Sequence, residues 1–207
     1  MGSGGLPVRL ETLNFGLGVP APHDARGSIV AKANAGKACS FCGLSAGLHA
    51  MNIGKEISCV LCGLVQSLHR TTIDEELRLI WLPEMSQPAL NVLVRQIHIS
   101  LQELGESVHC DDTPKTPEEM RPALFTAQRI LRERSEAISE RLGSSRASDL
   151  SDALTILASR HGDLKDLPWG GLRAFPTGRF YVAGVNVYDE IVGRWRGGSE
   201  TSMTEVA

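Results

Sequence analysis

The sequence predicts an α+β fold, in which a small N-terminal module with short strands precedes a region of about three helices. Two C-x-x-C pairs in the first third of the chain mark the module. The helices are indicated by apolar residues at helical spacing between strong start and stop residues. The predicted organisation is the module over 1–82, a helical region packed on it over 83–196, and a flexible tail over 197–207.

The composition is that of an ordinary globular protein. The 207 residues are 42% hydrophobic and 5% aromatic, with a net charge of −3. That charge lacks the basic excess typical of nucleic-acid binding, and few aromatic residues are present for base stacking. The opening MGSGGLPVRLETL lacks the regions of a signal peptide, and no apolar window is long enough to span a membrane. We therefore expect a cytoplasmic protein with no direct membrane insertion.

Four of the five cysteines form two similar pairs, CSFCGL and CVLCGL, with sixteen residues between them. Two intervening residues let the backbone turn so that both sulfurs reach one centre. Gly43 and Gly63 follow the pairs, where a tight turn favours a residue that tolerates positive φ. This spacing is typical of zinc sites, and four thiolates suit Zn²⁺ best. The sequence predicts one Zn²⁺ in a closed site formed by Cys39, Cys42, Cys59 and Cys62.

Other interpretations of the cysteines stay open. The two pairs are also compatible with an iron–sulfur cluster or with thiols that share no ligand. A thioredoxin-like redox pair is disfavoured because neither pair lies in a βαβ context. Cys110, beside Asp111 and Asp112, is interpreted as a thiol without a function.

Three helices are predicted from their capping residues and apolar faces. Their N-caps are Ser86, Thr116 and Ser148, and their stops are Gly105, Gly143 and Gly162. Glu119 completes a capping box with Thr116. The predicted faces are Leu90, Leu93, Val94, Ile97, Leu101 and Leu104, then Leu124, Ala127, Leu131, Ile138 and Leu142, then Leu150, Leu154, Leu157 and Ala158. A strand is predicted over 71–82, and one or two strands over 6–20.

Zinc modules of this kind also hold the ββα-metal core of HNH nucleases, which carries a His base and metal-binding His or Asn side chains. The segment between the pairs offers His49 and Asn52, and His69 follows shortly after. No second His or Asp stands at a useful spacing after Cys62, and Lys55 is the only Lys or Arg between the pairs to hold phosphates. We therefore expect a zinc scaffold with no catalytic residues.

With the stretch LIWLPEMSQPALNVLV after the two pairs, the chain resembles the DotN (IcmJ) family of type IVB, Dot/Icm-type secretion and conjugation systems. That family has a C-x-x-C-G-F-type pair, a second C-x-x-C pair, and an apolar strand leading into L-P-E-L-[ST]-Q-x-x-L-N. Here this block is Leu82, Pro83, Glu84, Met85, Ser86, Gln87, Leu90 and Asn91. The helical segments and GLRAFPTGRF also resemble the family, so that the likeness covers roughly 35–196.

The resemblance implies an HNH-like (ββα-type) zinc fold that has lost nuclease activity and works as an adaptor. Members of the family bind the cytoplasmic C-terminal region of the coupling ATPase and help to build the platform that recruits substrates. Such a protein is held at the cytoplasmic face of the inner membrane through its partner. The chain departs from the family in a shorter loop between the pairs and in lacking a basic, aromatic lead-in before Cys39.

Two other functional classes compete with the adaptor. One is an HNH-type nuclease or zinc-ribbon nucleic-acid-binding protein, for which Arg173, Arg179, Arg194 and Arg196 are a candidate patch. Surface arginines on an acidic chain are more often solvated, so no nucleic acid is expected. The other is a zinc-dependent regulator or chaperone-like module. Candidates for a protein interface are Trp81, Phe175, Phe180 and Tyr181, although Trp81 and Phe180 also fit a core.

Overall fold

The computed structural model describes residues 13–16, 37–117, 123–161 and 170–200. The strands are β1 (Met51–Ile53), β2 (Glu56–Ser58), β3 (Leu77–Trp81), β4 (Leu172–Pro176), β5 (Tyr181–Val182) and β6 (Val185–Asn186). The helices are α1 (Val60–Val65), α2 (Ile73–Glu76), α3 (Gln87–Glu103), α4 (Ala123–Glu133), α5 (Ser135–Leu142), α6 (Ala147–His161) and α7 (Tyr188–Glu200). This mixture confirms the predicted α+β class. None of the described helices has the length and apolar character needed to cross a membrane.

The strands form three antiparallel pairs, β1–β2, β3–β4 and β5–β6. The β3–β4 pair joins distant parts of the chain, with Leu77 opposite Pro176 and Trp81 opposite Leu172. The strand predicted over 71–82 is shorter than expected, because its first half contains α2. Strand β3 belongs to the predicted module and β4 to the predicted helical region. Their pairing joins the two regions, and one hydrophobic cluster includes residues of both. The boundary between 82 and 83 stays a prediction.

Helix α3 follows the sequence pattern closely. Ser86 has the extended backbone of an N-cap, and its Oγ accepts a hydrogen bond from Ala89 N at 3.4 Å. Gly105, with φ of 73°, follows the last turn as predicted. The buried face of α3 contains the expected Leu90, Val94, Ile97 and Leu101, together with the polar Gln87, Asn91 and His98. The prediction was wrong for Leu104, which is 52% exposed.

The helix predicted between Thr116 and Gly143 is two helices, α4 and α5, separated at Arg134. The carbonyl of Arg134 accepts a hydrogen bond from Trp81 N at 3.2 Å, and its guanidinium donates to Trp81 O at 3.3 Å. The free edge of β3 thus satisfies backbone groups that a continuous helix would pair internally. Leu142, predicted to be buried, is 62% exposed.

The predicted capping box at the start of that helix stays a prediction. Thr116 donates from its backbone N and its hydroxyl to the carboxylate of Glu106, at 2.7 and 2.5 Å. Glu119 lies outside the described residues. These two hydrogen bonds fix Thr116, at the end of the loop, to Glu106, near the start of the same loop after α3.

Ser148 does not cap α6, because the helix begins at Ala147 and Ser148 lies in its first turn. The backbone N and hydroxyl of Ser148 donate to the Asp74 carboxylate at 2.9 and 2.6 Å. Arg146 pairs with the same carboxylate at 2.7 Å. The Asp74 carboxylate from α2 therefore accepts a hydrogen bond from a backbone N–H of the first helical turn, as an N-cap side chain would. It also places negative charge at the positive end of the helix dipole.

The two ends of the chain differ from expectation in the part that the structure describes. Residues 13–16 of the predicted strands over 6–20 run beside α1 without regular strand structure, with Gly16 N donating to Val65 O at 3.2 Å. The rest of that segment lies outside the described residues. Helix α7 continues to Glu200, into the first four residues of the predicted tail over 197–207, and residues 201–207 are not described.

The helices pack around the β3–β4 pair as well as on one another. Helix α3 contacts α4, α7 and β4, whereas α5 and α6 contact β3. The predicted core positions Leu131, Ile138 and Leu154 are buried. The C-terminal helices therefore share their core with strands from both predicted regions.

His98 lies at the centre of the contacts between α3, α4 and α7. Its Nδ1 is 2.8 Å from the Tyr188 hydroxyl, and its Nε2 is 3.4 Å from Gln128 Nε2. Because an amide nitrogen only donates, we infer that Nε2 accepts and that Nδ1 carries the proton. Gln128 also donates to Val108 O at 3.0 Å. Burial lowers the pKa of His98 to about 3, so the imidazole stays neutral.

We expect acid to destabilise the fold through His98. Its pKa falls from an ordinary value of 6.5 to about 3 on folding. Above pH 6.5 the ring is neutral in both the folded and the unfolded state, and the free energy of unfolding is not reduced by its protonation. As the pH falls from 6.5 towards 3, the unfolded state takes up the proton first, and the free energy of unfolding falls by up to ~1.4 kcal/mol per pH unit. Denaturant unfolding of wild type and His98→Gln at pH 7 and pH 5 measures this effect. The variant should lose less stability on acidification, and equal losses would contradict the role of His98.

Candidate metal centre

The first cysteine pair lies in a tight turn before β1. Cys39 N donates to Leu44 O at 2.7 Å, and Gly43 N donates to Cys39 O at 3.0 Å. Gly43 has φ of 75°, which confirms the prediction that this position requires a glycine-like backbone. Both sulfurs of the pair are thereby directed by the turn rather than by a regular element.

The second pair lies at the start of α1. Cys59 is the N-cap, with φ of −67° and ψ of 164°, and Cys62 lies within the helix. Gly63 is helical, so the predicted turn at this position is wrong. A Cβ on Gly63 would force the Met51 side chain of β1 to shift, so glycine leaves room for that side chain. The hairpin β1–β2 can therefore pack directly on the helix that carries two of the sulfurs.

The structure brings the four predicted ligands, Cys39, Cys42, Cys59 and Cys62, into one tetrad. Their Sγ atoms all lie within 4.8 Å of one another. The 3.8 Å between Cys42 Sγ and Cys59 Sγ is far longer than a disulfide, and it equals the spacing of about 3.8 Å that sulfurs adopt around a tetrahedral zinc. Three of the cysteines are buried and Cys42 is half-buried. The tetrad is geometrically suited to a metal ion.

The electrostatics of the tetrad also favour a cation. Hydrogen bonding to the three neighbouring thiols, together with burial, raises the pKa of Cys62. Hydrogen bonds from the same group of thiols lower the pKa of Cys39. Four sulfurs at this distance cannot all be ionised without a compensating positive charge, because the thiolates repel one another. A divalent cation would supply that charge and displace the remaining protons.

Helix α3 brings polar side chains to the metal centre that the sequence pattern did not predict. Asn91 Nδ2 donates to Cys62 Sγ at 3.3 Å. One turn later, Arg95 donates to Ser45 O at 3.0 Å, beside the first pair, and stacks over the Trp195 ring at 4.7 Å. Gln87, one turn before Asn91, donates to Asn91 Oδ1 at 2.9 Å. The available signal was the spacing of four between polar residues on the apolar side of a predicted helix.

A second group of metal donors, His109, Cys110 and Asp111, occurs in the loop between α3 and α4. Here two arginines already supply the positive charge, since Arg78 and Arg132 lie 3.1 and 3.2 Å from the Asp111 carboxylate. Burial, followed by the charge of Asp111, raises the pKa of Cys110 to about 11, so its thiol keeps its proton. This group is accounted for as an ion-pair cluster, in contrast to the tetrad.

The residues considered for nuclease chemistry are not assembled with the tetrad. Asn52 is exposed on β1, and His69 is exposed after α1. His49 has a left-handed backbone with φ of 58°, and its buried Nδ1 has no hydrogen-bond partner among the described residues. Neither histidine belongs to a metal-donor group within the part of the chain that the structure describes.

The candidate interface residues near the C-terminus belong largely to the core. Phe175 and Phe180 are fully buried, which decides between the two interpretations of Phe180. Tyr181 is half-buried, and its hydroxyl donates to Glu75 at 2.6 Å. Trp81 is half-buried beneath Arg141, whose guanidinium lies 4.2 Å from the ring centroid. Of these four, Trp81 is the one that borders an open groove.

The predicted arginine patch is only partly a free surface. Arg173 donates to Met85 O at 2.6 Å and to Gly170 O at 3.1 Å, so its guanidinium binds backbone carbonyl groups of the protein itself. Arg179 lies 3.5 Å from Glu75. Arg194 and Arg196 are exposed on α7. Two of the four arginines are thus engaged within the fold.

Comparisons with known proteins do not assign the chain to a family. Neither a scan against protein-family models nor a search of curated proteins finds a match.

We expect purified protein to retain about one metal ion per chain, because the tetrad brings four sulfur donors within 4.8 Å of one another. Cys59→Ser should lose the ion and unfold at a lower temperature, since metal-binding free energy contributes directly to folding. Elemental analysis and thermal unfolding measure both effects. Cys110→Ser is the matched control and should keep the ion. Equal metal content in the two variants would show that the tetrad is not the site.

Proposed function

We propose that the protein is a non-enzymatic adaptor of a type IV, Dot/Icm-like coupling complex, stabilised by one Zn²⁺. The observation that carries the zinc assignment is the tetrad, in which four protein sulfurs supply every position of a tetrahedral ion. Zinc is the common metal with this preference, and a site closed by four sulfurs leaves no position for a reactive water. The ion then has a structural role.

The order of elements around the tetrad supports an HNH-like module. A cysteine turn precedes the β1–β2 hairpin, and α1 follows with the second cysteine pair at its start. This is the ββα order that the resemblance to the DotN (IcmJ) family implies. In our proposal the module serves as a folded platform, and α3 fixes it to the rest of the protein.

The proposed partner is the cytoplasmic C-terminal region of the coupling ATPase, which would hold the protein at the cytoplasmic face of the inner membrane. A groove of about 450 Å³ between β3, α5 and α6 offers a surface for such a segment. Its lining includes Leu79, Trp81 and Leu142, and Arg141 stands at its rim. Arg141 has no ion-pair partner among the described residues, so an apolar segment with an acidic residue is the complementary ligand.

Binding to the purified C-terminal region of a type IV coupling ATPase tests the adaptor role. We expect Leu142→Asp to weaken this binding by at least ~10-fold, because a charge would replace an exposed apolar contact in the groove. Isothermal titration calorimetry gives the Kd. Ile156→Asp is the matched control, since Ile156 is 53% exposed on α6 and lies outside the groove lining.

Normal affinity of Leu142→Asp would remove the groove from the proposal. No binding by wild-type protein would remove the ATPase partner, while leaving the zinc assignment intact. Arg141→Glu adds a second criterion, because reversal of the charge at the rim should weaken binding more at low salt than at high salt.

The strained backbone of His49 favours one alternative, an HNH-type nuclease. A left-handed conformation at a non-glycine residue costs energy and is often found at functional sites. If the alternative holds, the protein cleaves plasmid DNA with added Mg²⁺ or Mn²⁺, and His49→Ala abolishes the cleavage. We expect no cleavage by wild-type protein, and a gel shift at two salt concentrations would reveal binding to DNA without cleavage.

A further inference from the structure

We propose that Asn91, oriented by Gln87, is an outer hydrogen-bond donor of the metal centre that controls how tightly the tetrad holds its ion and couples metal binding to β4. This inference rests on metal binding at the tetrad and is independent of the adaptor role. It assigns a purpose to two buried polar residues on the apolar face of α3.

Asn91 contacts the tetrad directly, and the contact is buried from solvent. Asn91 Nδ2 lies 3.3 Å from Cys62 Sγ, and the two residues are 1% and 0% exposed. Cys62 is therefore shielded from water, and a buried thiolate needs a hydrogen-bond donor in place of solvent. An amide N–H from a neighbouring helix meets that need.

The orientation of the Asn91 amide is determined by its second contact. Asn91 Oδ1 accepts a hydrogen bond from Gln87 Nε2 at 2.9 Å. If the Asn91 amide were rotated by half a turn, its nitrogen would face the Gln87 nitrogen, and two donors would meet. Gln87 thus forces the Asn91 N–H groups towards Cys62.

Gln87 is held in turn by the backbone of β4. Its Nε2 donates to Ala174 O at 2.8 Å, and its Oε1 accepts from Ala174 N at 2.8 Å. The same Nε2 therefore uses both of its hydrogens, one for Ala174 and one for Asn91. A continuous chain of hydrogen bonds runs from the β4 backbone through Gln87 and Asn91 to Cys62.

This chain stabilises the metal-loaded state more than the metal-free state. The sulfur of Cys62 carries more negative charge as a metal-bound thiolate than as a thiol, and a donor strengthens with the charge of its acceptor. Four thiolates around a divalent cation leave a net charge of about −2 inside the protein. The Asn91 N–H offsets part of that charge, so its loss should weaken metal retention.

Competition with a chromophoric chelator for Zn²⁺ measures the effect in the full-length protein. We expect Asn91→Leu, which keeps the size but lacks the donor, to lower zinc affinity by about 10–100-fold. Asn91→Asp should lower it further, because a carboxylate would face the sulfur. Gln102→Leu is the matched control, since it removes an amide on the same helix that donates to Asp189 O at 2.9 Å, away from the tetrad.

A spectroscopic signature separates this role from general loss of stability. In the Co²⁺-substituted protein, loss of the N–H···S bond should move the sulfur-to-cobalt charge-transfer band to lower energy in Asn91→Leu and leave it in place in Gln102→Leu. An Asn91→Leu variant that keeps wild-type affinity and an unmoved band would overturn the proposal.

Hydrogen exchange and proton resonances of the wild-type protein provide a further test, in conditions where circular dichroism shows the metal-free protein to be folded. Because Ala174 N donates to Gln87, its exchange with solvent should slow on zinc loading, and the Asn91 side-chain amide should show a shifted proton resonance. An Asn91 amide resonance that does not respond to zinc would also overturn the proposal. If wild-type protein binds no metal at all, it is the zinc assignment that fails.

Discussion

The mutual approach of four cysteine sulfurs, three of them on buried residues, is the constraint around which the N-terminal half is arranged. Two sulfurs come from a turn and two from a helix start, so the hairpin between them has to fold back on α1. Gly63 permits this by leaving space for Met51. Four thiolates at this distance repel one another, and a cation at their centre is the simplest way to offset that repulsion.

Locally encoded features could be predicted from the sequence. Cys39, Cys42, Cys59 and Cys62 were identified because two-residue spacing within each pair is a local geometric property, and the structure gathers them into one group. Helix α3 was predicted for the same reason, since Ser86 and Gly105 act within one turn of its ends. Neither prediction required knowledge of the path of the rest of the chain.

Features that depend on distant contacts could not be predicted. The break at Arg134 arises because the β3 edge binds its backbone, and the start of α6 is supported by Asp74, 74 residues away from Ser148. Asn91 could be recognised only as a polar residue on an apolar face, and its sulfur partner became evident from the fold. In each case a side chain or backbone group from another element replaces a local interaction that the pattern had assumed.

The pairing of β3 with β4 has a consequence for synthesis of the protein. The strand LRLIW of β3 leaves the ribosome before the helices α3 to α6, whereas its partner β4 is made after them. Until then β3 lacks one hydrogen-bonding neighbour, and an apolar strand in that state is prone to pair with other chains. Such distant pairing also slows folding, because the ends of a long loop have to meet first. The cysteine module lies entirely before β3 in the chain, whereas β3 has to wait for residues 172–176 before it can pair with β4.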